Sequence, residues 1–324
     1  MRFSELLDHR AILILDGAMG SELQRLGVDI SLPLWSAYSL LHAPHIVRNI
    51  HFSYLHAGAD ILTTNTFRTN FRTLQRASCD HRWEEMNLRA VQLAMEARER
   101  YIPARPVLIA GGLAPVEDCY RPDLVPSDSQ LIDEHSRQAE FLAMSGVDML
   151  LIETMMSIRE AVAAANASAK TGKEFLVSFV CTEDAMLLSG ESLIDAAQHV
   201  VSIGASAVLV NCVSALHIRA VHAILQSAID QPTGAYPNIG TPQPGEHTTL
   251  DTQVDVVAFY DHVIDCVADG ARIVGGCCGT TPEHIESLVR TLSPETLLTQ
   301  RNDIDEWKNR KRDRRSKPPL EELE

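Results

Sequence analysis

The chain has 324 residues, is 45% hydrophobic and 5% aromatic, and carries a formal net charge of -15. That length can bury a large core in one domain or two. No apolar stretch is long enough to span a membrane, and a body this acidic argues against a nucleic-acid groove.

The N-terminus, residues 1–10, is polar and mixed in charge, and the first apolar run covers only residues 11–15, so it does not read as a secretory signal. Short, mostly apolar runs without alternation follow, as expected for strands buried on both faces of a parallel sheet. They lie at residues 12–15, 60–64, 107–110, 148–152, 175–180, 207–210, 234–237 and 272–274. Amphipathic segments alternate with them at residues 44–56, 83–100, 129–145, 158–170, 192–203, 215–227, 253–269 and 282–290. Eight strands and eight helices in alternation predict an α/β protein, a (β/α)8 TIM barrel. A doubly wound open sheet is the alternative. The turn after the first strand, Asp16-Gly17-Ala18-Met19-Gly20-Ser21, lacks the G-x-G-x-x-G spacing of a dinucleotide fold.

Residues 1–300 are expected to form the barrel and residues 301–324 a charged, flexible tail. Within that tail, residues 308–317 carry seven positive charges and one negative, which reads as a solvated run offsetting an acidic body. Seven cysteines are too sparse and uneven for a disulfide framework, so a reducing cytoplasm is the expected location.

Barrel enzymes build their sites in the loops at the C-terminal ends of the strands. Those ends here carry Asp16, Thr64-Asn65-Thr66, Gly111-Gly112, Glu153-Thr154, Cys181-Thr182, Asn211-Cys212, Asn238 and Cys277-Cys278. Cys277 and Cys278 sit in a glycine-rich turn, and Cys212 closes another apolar run 65 residues earlier. Adjacent cysteines in a regular strand would face opposite ways. Gly275, Gly276 and Gly279 are expected to let the backbone turn so that both thiols reach one ion. Three thiolates suit Zn2+, and a three-ligand set leaves one position open for a substrate. A substrate thiol in that position would lose its proton at neutral pH and attack a methyl group in line. Cys79, Cys119, Cys181 and Cys266 have no comparable context and are expected to pack in the core.

Asp16 and Glu153, at the ends of the first and fourth strands, could serve glycosidic acid/base work, a hard-metal site or recognition of an ammonium group; if the substrate is an amino acid with a side-chain thiol, they can hold its α-ammonium. Backbone N–H groups across Gly17, Ala18, Met19 and Gly20 are placed to receive its carboxylate. Asn211 is expected either to close a loop or to orient Cys212 from behind.

These residues carry a resemblance. The chain resembles the homocysteine S-methyltransferase family over about residues 5–292. The matching pieces are Leu15-Asp16-Gly17-Ala18-Met19-Gly20, Leu34-Trp35-Ser36, Thr63-Thr64-Asn65-Thr66-Phe67, Glu153-Thr154, Val210-Asn211-Cys212, Tyr236-Pro237-Asn238 and Gly275-Gly276-Cys277-Cys278-Gly279-Thr280. The resemblance implies a (β/α)8 barrel and zinc held by Cys212, Cys277 and Cys278. It implies homocysteine bound with help from Asp16, Glu153 and the Gly17–Gly20 backbone, and methionine as product. Trp35, Asn65 and Thr154 fall on the same substrate rim, and Asn211 and Asn238 behind it. Betaine enzymes of the family carry tyrosines where this chain has Arg68 and Thr154, which counts against an aromatic cage for a quaternary ammonium. The chain ends soon after the barrel, so the expected donor is a small sulfonium such as S-methylmethionine. A separate corrinoid protein or betaine is the alternative donor. A barrel hydrolase or lyase using the carboxylates, and a non-catalytic zinc-stabilised interaction module, are the rivals from other classes. The sequence sets no oligomeric state.

Overall fold

The computed structural model describes residues 1–101, 105–243 and 246–292, so the expected C-terminal tail and its basic run lie outside the described residues. In chain order the strands are β1 (Leu13–Ile14), β2 (Ile61–Thr63), β3 (Leu108–Leu113), β4 (Met149–Met155), β5 (Phe175–Phe179), β6 (Ala207–Ser214), β7 (Thr233–Asn238), β8 (Gly240–Gln243), β9 (Glu246–Thr252) and β10 (Ile273–Val274). The α-helices are α1 (Phe3–His9), α2 (Gly20–Arg25), α3 (Tyr38–His42), α4 (Pro44–Ala57), α5 (Phe71–Arg76), α6 (Trp83–Tyr101), α7 (Asp128–Met144), α8 (Ile158–Lys170), α9 (Leu193–Ile203), α10 (Ala215–Ala228), α11 (Val256–Ala268) and α12 (Pro282–Leu292).

Eight parallel strands form one sheet in the order β1-β10-β7-β6-β5-β4-β3-β2. A parallel bridge between Leu15 and Ile61 joins its two edges, so the sheet closes as a (β/α)8 barrel. The antiparallel pair β8–β9 lies outside the barrel, between β7 and α11. Neither that pair nor the short helices α1, α2, α3 and α5 were expected from the sequence. They are too short to show a period.

Alternation along each barrel strand sorts residues into two cores. Ile14, Leu62, Ile109, Leu150, Val177 and Val208 point outward against the helices. Leu13, Leu15, Ile61, Met149, Leu151 and Leu209 point inward. Helix α1 plugs the bottom of the inner core with Phe3, Leu6 and Leu7, each contributing about 2 kcal/mol by burial. Continuing the same alternation upward puts Glu153 after Leu151, Asn211 after Leu209 and Tyr236 after Gly234 in the top inner layer. The apolar filling therefore stops one layer below the rim, and polar side chains replace it.

The loops feeding the outer helices end on capping residues. Ser157, Ser192, Ser214 and Asp255 each accept a hydrogen bond from a backbone N–H in the first turn of α8, α9, α10 and α11. Helix α4 opens on Pro44 and stops at Gly58, whose φ of 102° gives the left-handed C-cap.

Candidate metal and substrate site

The sequence reading places Glu153-Thr154 and Asn211-Cys212 in loops beyond their strands. The structure keeps them inside β4 and β6, at bulges. On β4 the pairing advances three residues, from Ile152 to Met155, while β5 advances two, from Val177 to Phe179. On β6 it advances from Asn211 to Ser214 against Tyr236 to Asn238 on β7. Each bulge holds one residue in the left-handed region, Thr154 at φ 60° and Cys212 at φ 54°. A regular strand would send Glu153 and Thr154 to opposite faces. The bulge instead lets both line the same cavity at the top of the barrel, and Cys212 joins them there.

One side chain holds both bulges. Asn211 is fully buried; its Oδ1 accepts from the Thr154 amide at 3.1 Å and from Ser178 Oγ at 2.7 Å. Its Nδ2 donates to Thr154 Oγ1 at 2.8 Å and lies 3.5 Å from Cys212 Sγ and 3.8 Å from Cys277 Sγ. One Nδ2 hydrogen thus fixes a strained β-branched residue, and the other faces the two sulfurs. Asn238 does similar work, donating to the Cys212 carbonyl at 3.1 Å and accepting from the Cys278 amide at 2.9 Å. Both asparagines stand behind the thiols, and neither lines the cavity.

Cys277 and Cys278 reach the cavity through the turn after β10. Only Gly279 supplies the left-handed conformation expected of the glycines there, at φ 83°. Gly275 and Gly276 are small because they are crowded: a Cβ on Gly276 would stand 2.3 Å from Thr280 Oγ1. Thr280 Oγ1 donates to the Cys277 carbonyl at 2.7 Å and accepts from the Ala18 amide at 3.2 Å. Tyr54 Oη donates to the Ala18 carbonyl at 2.8 Å, and Ser21 Oγ accepts from the Gly279 amide at 2.8 Å. The first loop and the cysteine loop are therefore tied into one wall.

The sulfurs of Cys212, Cys277 and Cys278 all lie within 4.8 Å of one another, with Cys212 and Cys277 2.9 Å apart. Hydrogen bonds from the thiols of Cys212 and Cys278 hold Cys277 well below the usual thiol range, despite burial. Three soft donors around one point, with amide N–H groups behind them, fit a borderline cation such as Zn2+.

Asp16 and Glu153 complete the cavity. Burial pushes Asp16 up to about 7, against the stabilising hydrogen bond from the Thr63 amide to its Oδ2 at 2.8 Å. Glu153 is held well above the ordinary carboxylate range, first by burial and then by negative charge at Cys277 and Asp16. Neither carboxylate forms an ion pair with the described residues. Two desolvated acids without a cation invite an ammonium group.

The other expected residues also line this cavity. Gly17, Ala18, Met19 and Gly20 form its first-strand wall. The Ala18 amide is already engaged by Thr280, so it is not free to receive a carboxylate. Gly20 lets the Trp35 indole lie against the backbone, since a Cβ there would stand 2.3 Å from the ring. Trp35 has φ 46° and meets Phe67 edge-on at 5.5 Å between ring centroids. Asn65 lines the cavity, yet its Nδ2 donates backward to the Ser36 carbonyl at 3.0 Å, bracing the Trp35 turn.

Sequence reading quotes Thr63 and Tyr236 only within the matching motifs and gives them no site role, misses Tyr120, and reads Cys119 as a packing residue; all four line the cavity. The inward parity of β7 was the signal for Tyr236. No local pattern marks Tyr120, which arrives on the long connection after β3. Cys79, Cys181 and Cys266 pack away from the cavity, as expected.

A model of the homocysteine S-methyltransferase family matches residues 13–292. Homocysteine S-methyltransferase 3 of Zea mays is 31% identical over 306 residues, covering 87% of this chain and 90% of that protein. The selenocysteine methyltransferase of Astragalus bisulcatus is 29% identical, covering 86% and 92%. Among solved structures, the metallated form of the homocysteine methyltransferase MmuM from Escherichia coli superposes with a TM-score of 0.77 at 28% identity, covering 88% of this chain and 97% of that one.

Proposed function

The chain belongs to the homocysteine S-methyltransferase family, and we propose that it moves a methyl group from a small sulfonium, S-methylmethionine or a related compound, to the sulfur of L-homocysteine. The methyl carbon leaves the sulfonium sulfur, whose bonding pair stays behind as a neutral thioether. The same carbon bonds to the homocysteine thiolate, giving methionine. The observation that carries this reading is the convergence of three thiols within 4.8 Å beside two unpaired carboxylates.

Cys212, Cys277 and Cys278 are the residues that would hold Zn2+. Bound there, it would supply a Lewis acid that lowers the pKa of the substrate thiol, while the three thiolates would keep that sulfur electron-rich. Asn211 orients Cys212 and Cys277 and keeps negative charge on sulfur favourable. Asp16 and Glu153 hold the α-ammonium of homocysteine, and its charge repays the cost of ionising them in a dry cavity. Thr154, fixed beside Glu153 by Asn211, narrows the space next to the reacting sulfur. Trp35 and Phe67 offer ring edges and faces that shield the donor from water, so that orientation supplies much of the rate. Residues 1–300 act as one catalytic barrel, and residues 301–324 stand outside its chemistry. No described helix is long and apolar enough to cross a membrane. The free thiols suit a reducing compartment, and we place the enzyme in the cytoplasm.

The test is methionine formation from homocysteine with S-methylmethionine, S-adenosylmethionine, betaine and methylcobalamin, before and after chelation of metal. The expected result is activity with the sulfonium, lost on chelation and restored by Zn2+. Activity that survives metal removal would sink the thiol-cluster mechanism. Turnover with betaine alone, or only with a methylated corrinoid protein, would replace the donor.

A further inference from the structure

A cation enters this cavity that the chemistry above does not use. Arg68 follows Phe67 on the loop after β2, lines the cavity, and is only 8% exposed. Its Nη1 donates to the Glu117 carbonyl oxygen at 3.1 Å, while its Nε is buried with no partner. Glu117 cannot neutralise it, because that carboxylate is already paired with Arg72 and Arg76. No carboxylate of the described residues lies within ion-pair distance of Arg68. A guanidinium keeps its charge when buried, and a buried charge without a counter-ion is costly. What would offset the cost is a planar anion with two oxygens, which a guanidinium fork matches.

The cavity is therefore bipolar. Asp16 and Glu153 form its acidic wall, and Arg68 stands beside Cys119 and Tyr120 on the loops after β2 and β3. Arg68 lies near enough to Cys119 to favour its thiolate, and it forms no ion pair with either acid. Homocysteine carries its ammonium and carboxylate on one carbon. Seated with the ammonium on the acidic wall, it has its own carboxylate one carbon away, beside the Gly17–Gly20 backbone that lines the cavity next to Asp16. The unmatched anion belongs to the second substrate.

We propose that Arg68 binds a carboxylate of the methyl donor, so that the donor is an onium compound carrying both a transferable methyl and a carboxylate. This inference rests on the small-sulfonium reading and narrows it. Bare onium ions, which would leave Arg68 unpaired beside a second cation, are poor donors. The donor's cationic sulfur then lies toward the thiol cluster, with its carboxylate turned away toward the β2 loop. Methyl and carboxylate are held at opposite ends, which also fixes the direction of transfer.

The experiment compares three donors with saturating homocysteine: S-methylmethionine, dimethylsulfoniopropionate and trimethylsulfonium. The first two carry a carboxylate and the third does not. In the unaltered enzyme the carboxylate donors are expected to exceed trimethylsulfonium in kcat/KM by about tenfold to a hundredfold, the scale of a charge-assisted hydrogen bond. In Arg68→Met that preference collapses through the donor KM, with the KM for homocysteine within about twofold of the original. Arg68→Lys restores part of the preference, because charge returns without the fork. Equal use of trimethylsulfonium by the unaltered enzyme would overturn the assignment while leaving the sulfonium reading intact. A rise in the homocysteine KM instead of the donor KM would reassign Arg68 to the acceptor. Inactivity with all three compounds would overturn both readings together. The comparison in the unaltered enzyme needs no variant, so a poorly folded Arg68→Met cannot decide the matter.

Discussion

The two ends of the barrel follow opposite rules. At the bottom every charge that matters is paired. Asp60 is 1% exposed, is bridged by Arg10 and Arg105, and accepts the Ile14 amide at 2.9 Å. Glu174 caps α1 by accepting the amides of Phe3 and Ser4 at 2.7 and 3.2 Å. Arg98 pairs with Asp148, which also accepts the Ile109 amide. At the top, Asp16, Glu153 and Arg68 have no ionic partner among the described residues. Three of the five non-glycine residues with positive φ among the described residues, Trp35, Thr154 and Cys212, line that same cavity. The bottom spends its polar groups on closing the fold. The top leaves three charges without ionic partners and three residues strained, which is where our proposal seats the substrates.

The sharpest test of this contrast is Cys277→Ser. Methyl transfer should fall by about a thousandfold, since a metal site commonly supplies several kcal/mol at the transition state. Thermal unfolding should shift little by comparison. A variant that keeps its activity would remove the top of the barrel from the chemistry. Asp60→Ala should do the reverse, costing about 3 kcal/mol of stability for a broken buried pair, with activity per folded molecule retained. A denaturant titration beside a rate measurement reads both. If the rate falls with no loss of stability, the division between the ends is wrong.

Glu153→Gln should lower kcat/KM for homocysteine by about ten- to a hundredfold while raising the melting temperature, because a buried unpaired acid is removed. Loss of both activity and stability would make Glu153 a scaffold residue. The smallest effect is one of pH. Asp16, pushed up to about 7, is protonated in the empty site at mildly acidic pH. An ammonium ligand favours its ionised form, so the KM for homocysteine should fall as pH rises toward 7, by at most about tenfold per unit. Stability runs the other way. A folded pKa raised above the unfolded value of about 3.9 gives a contribution complete below that value and declining as pH rises to about 7. Asp16→Asn should flatten both curves, and a pH-independent KM in the unaltered enzyme would take Asp16 out of the binding of the ammonium.

Hydrophobic runs and amphipathic spacing determined the eight strand–helix units, because each unit buries a face whose period is written locally. Residue type and position also determined the thiol triad and both carboxylates, since strand ends meet at one rim once a barrel closes. Tertiary structure alone decided how those residues face one another. The bulges that turn Thr154 and Cys212 into the cavity are held by Asn211, a contact spanning 57 residues of sequence. Gly276, expected to let the backbone turn, makes room for Thr280, and Gly20 makes room for Trp35, which no local pattern reveals. The sequence placed Arg68 beside Phe67, but whether its charge was already neutralised depended on where Glu117 spent its own. That was a question of packing, because a counter-ion is chosen by distance in space and not by position along the chain.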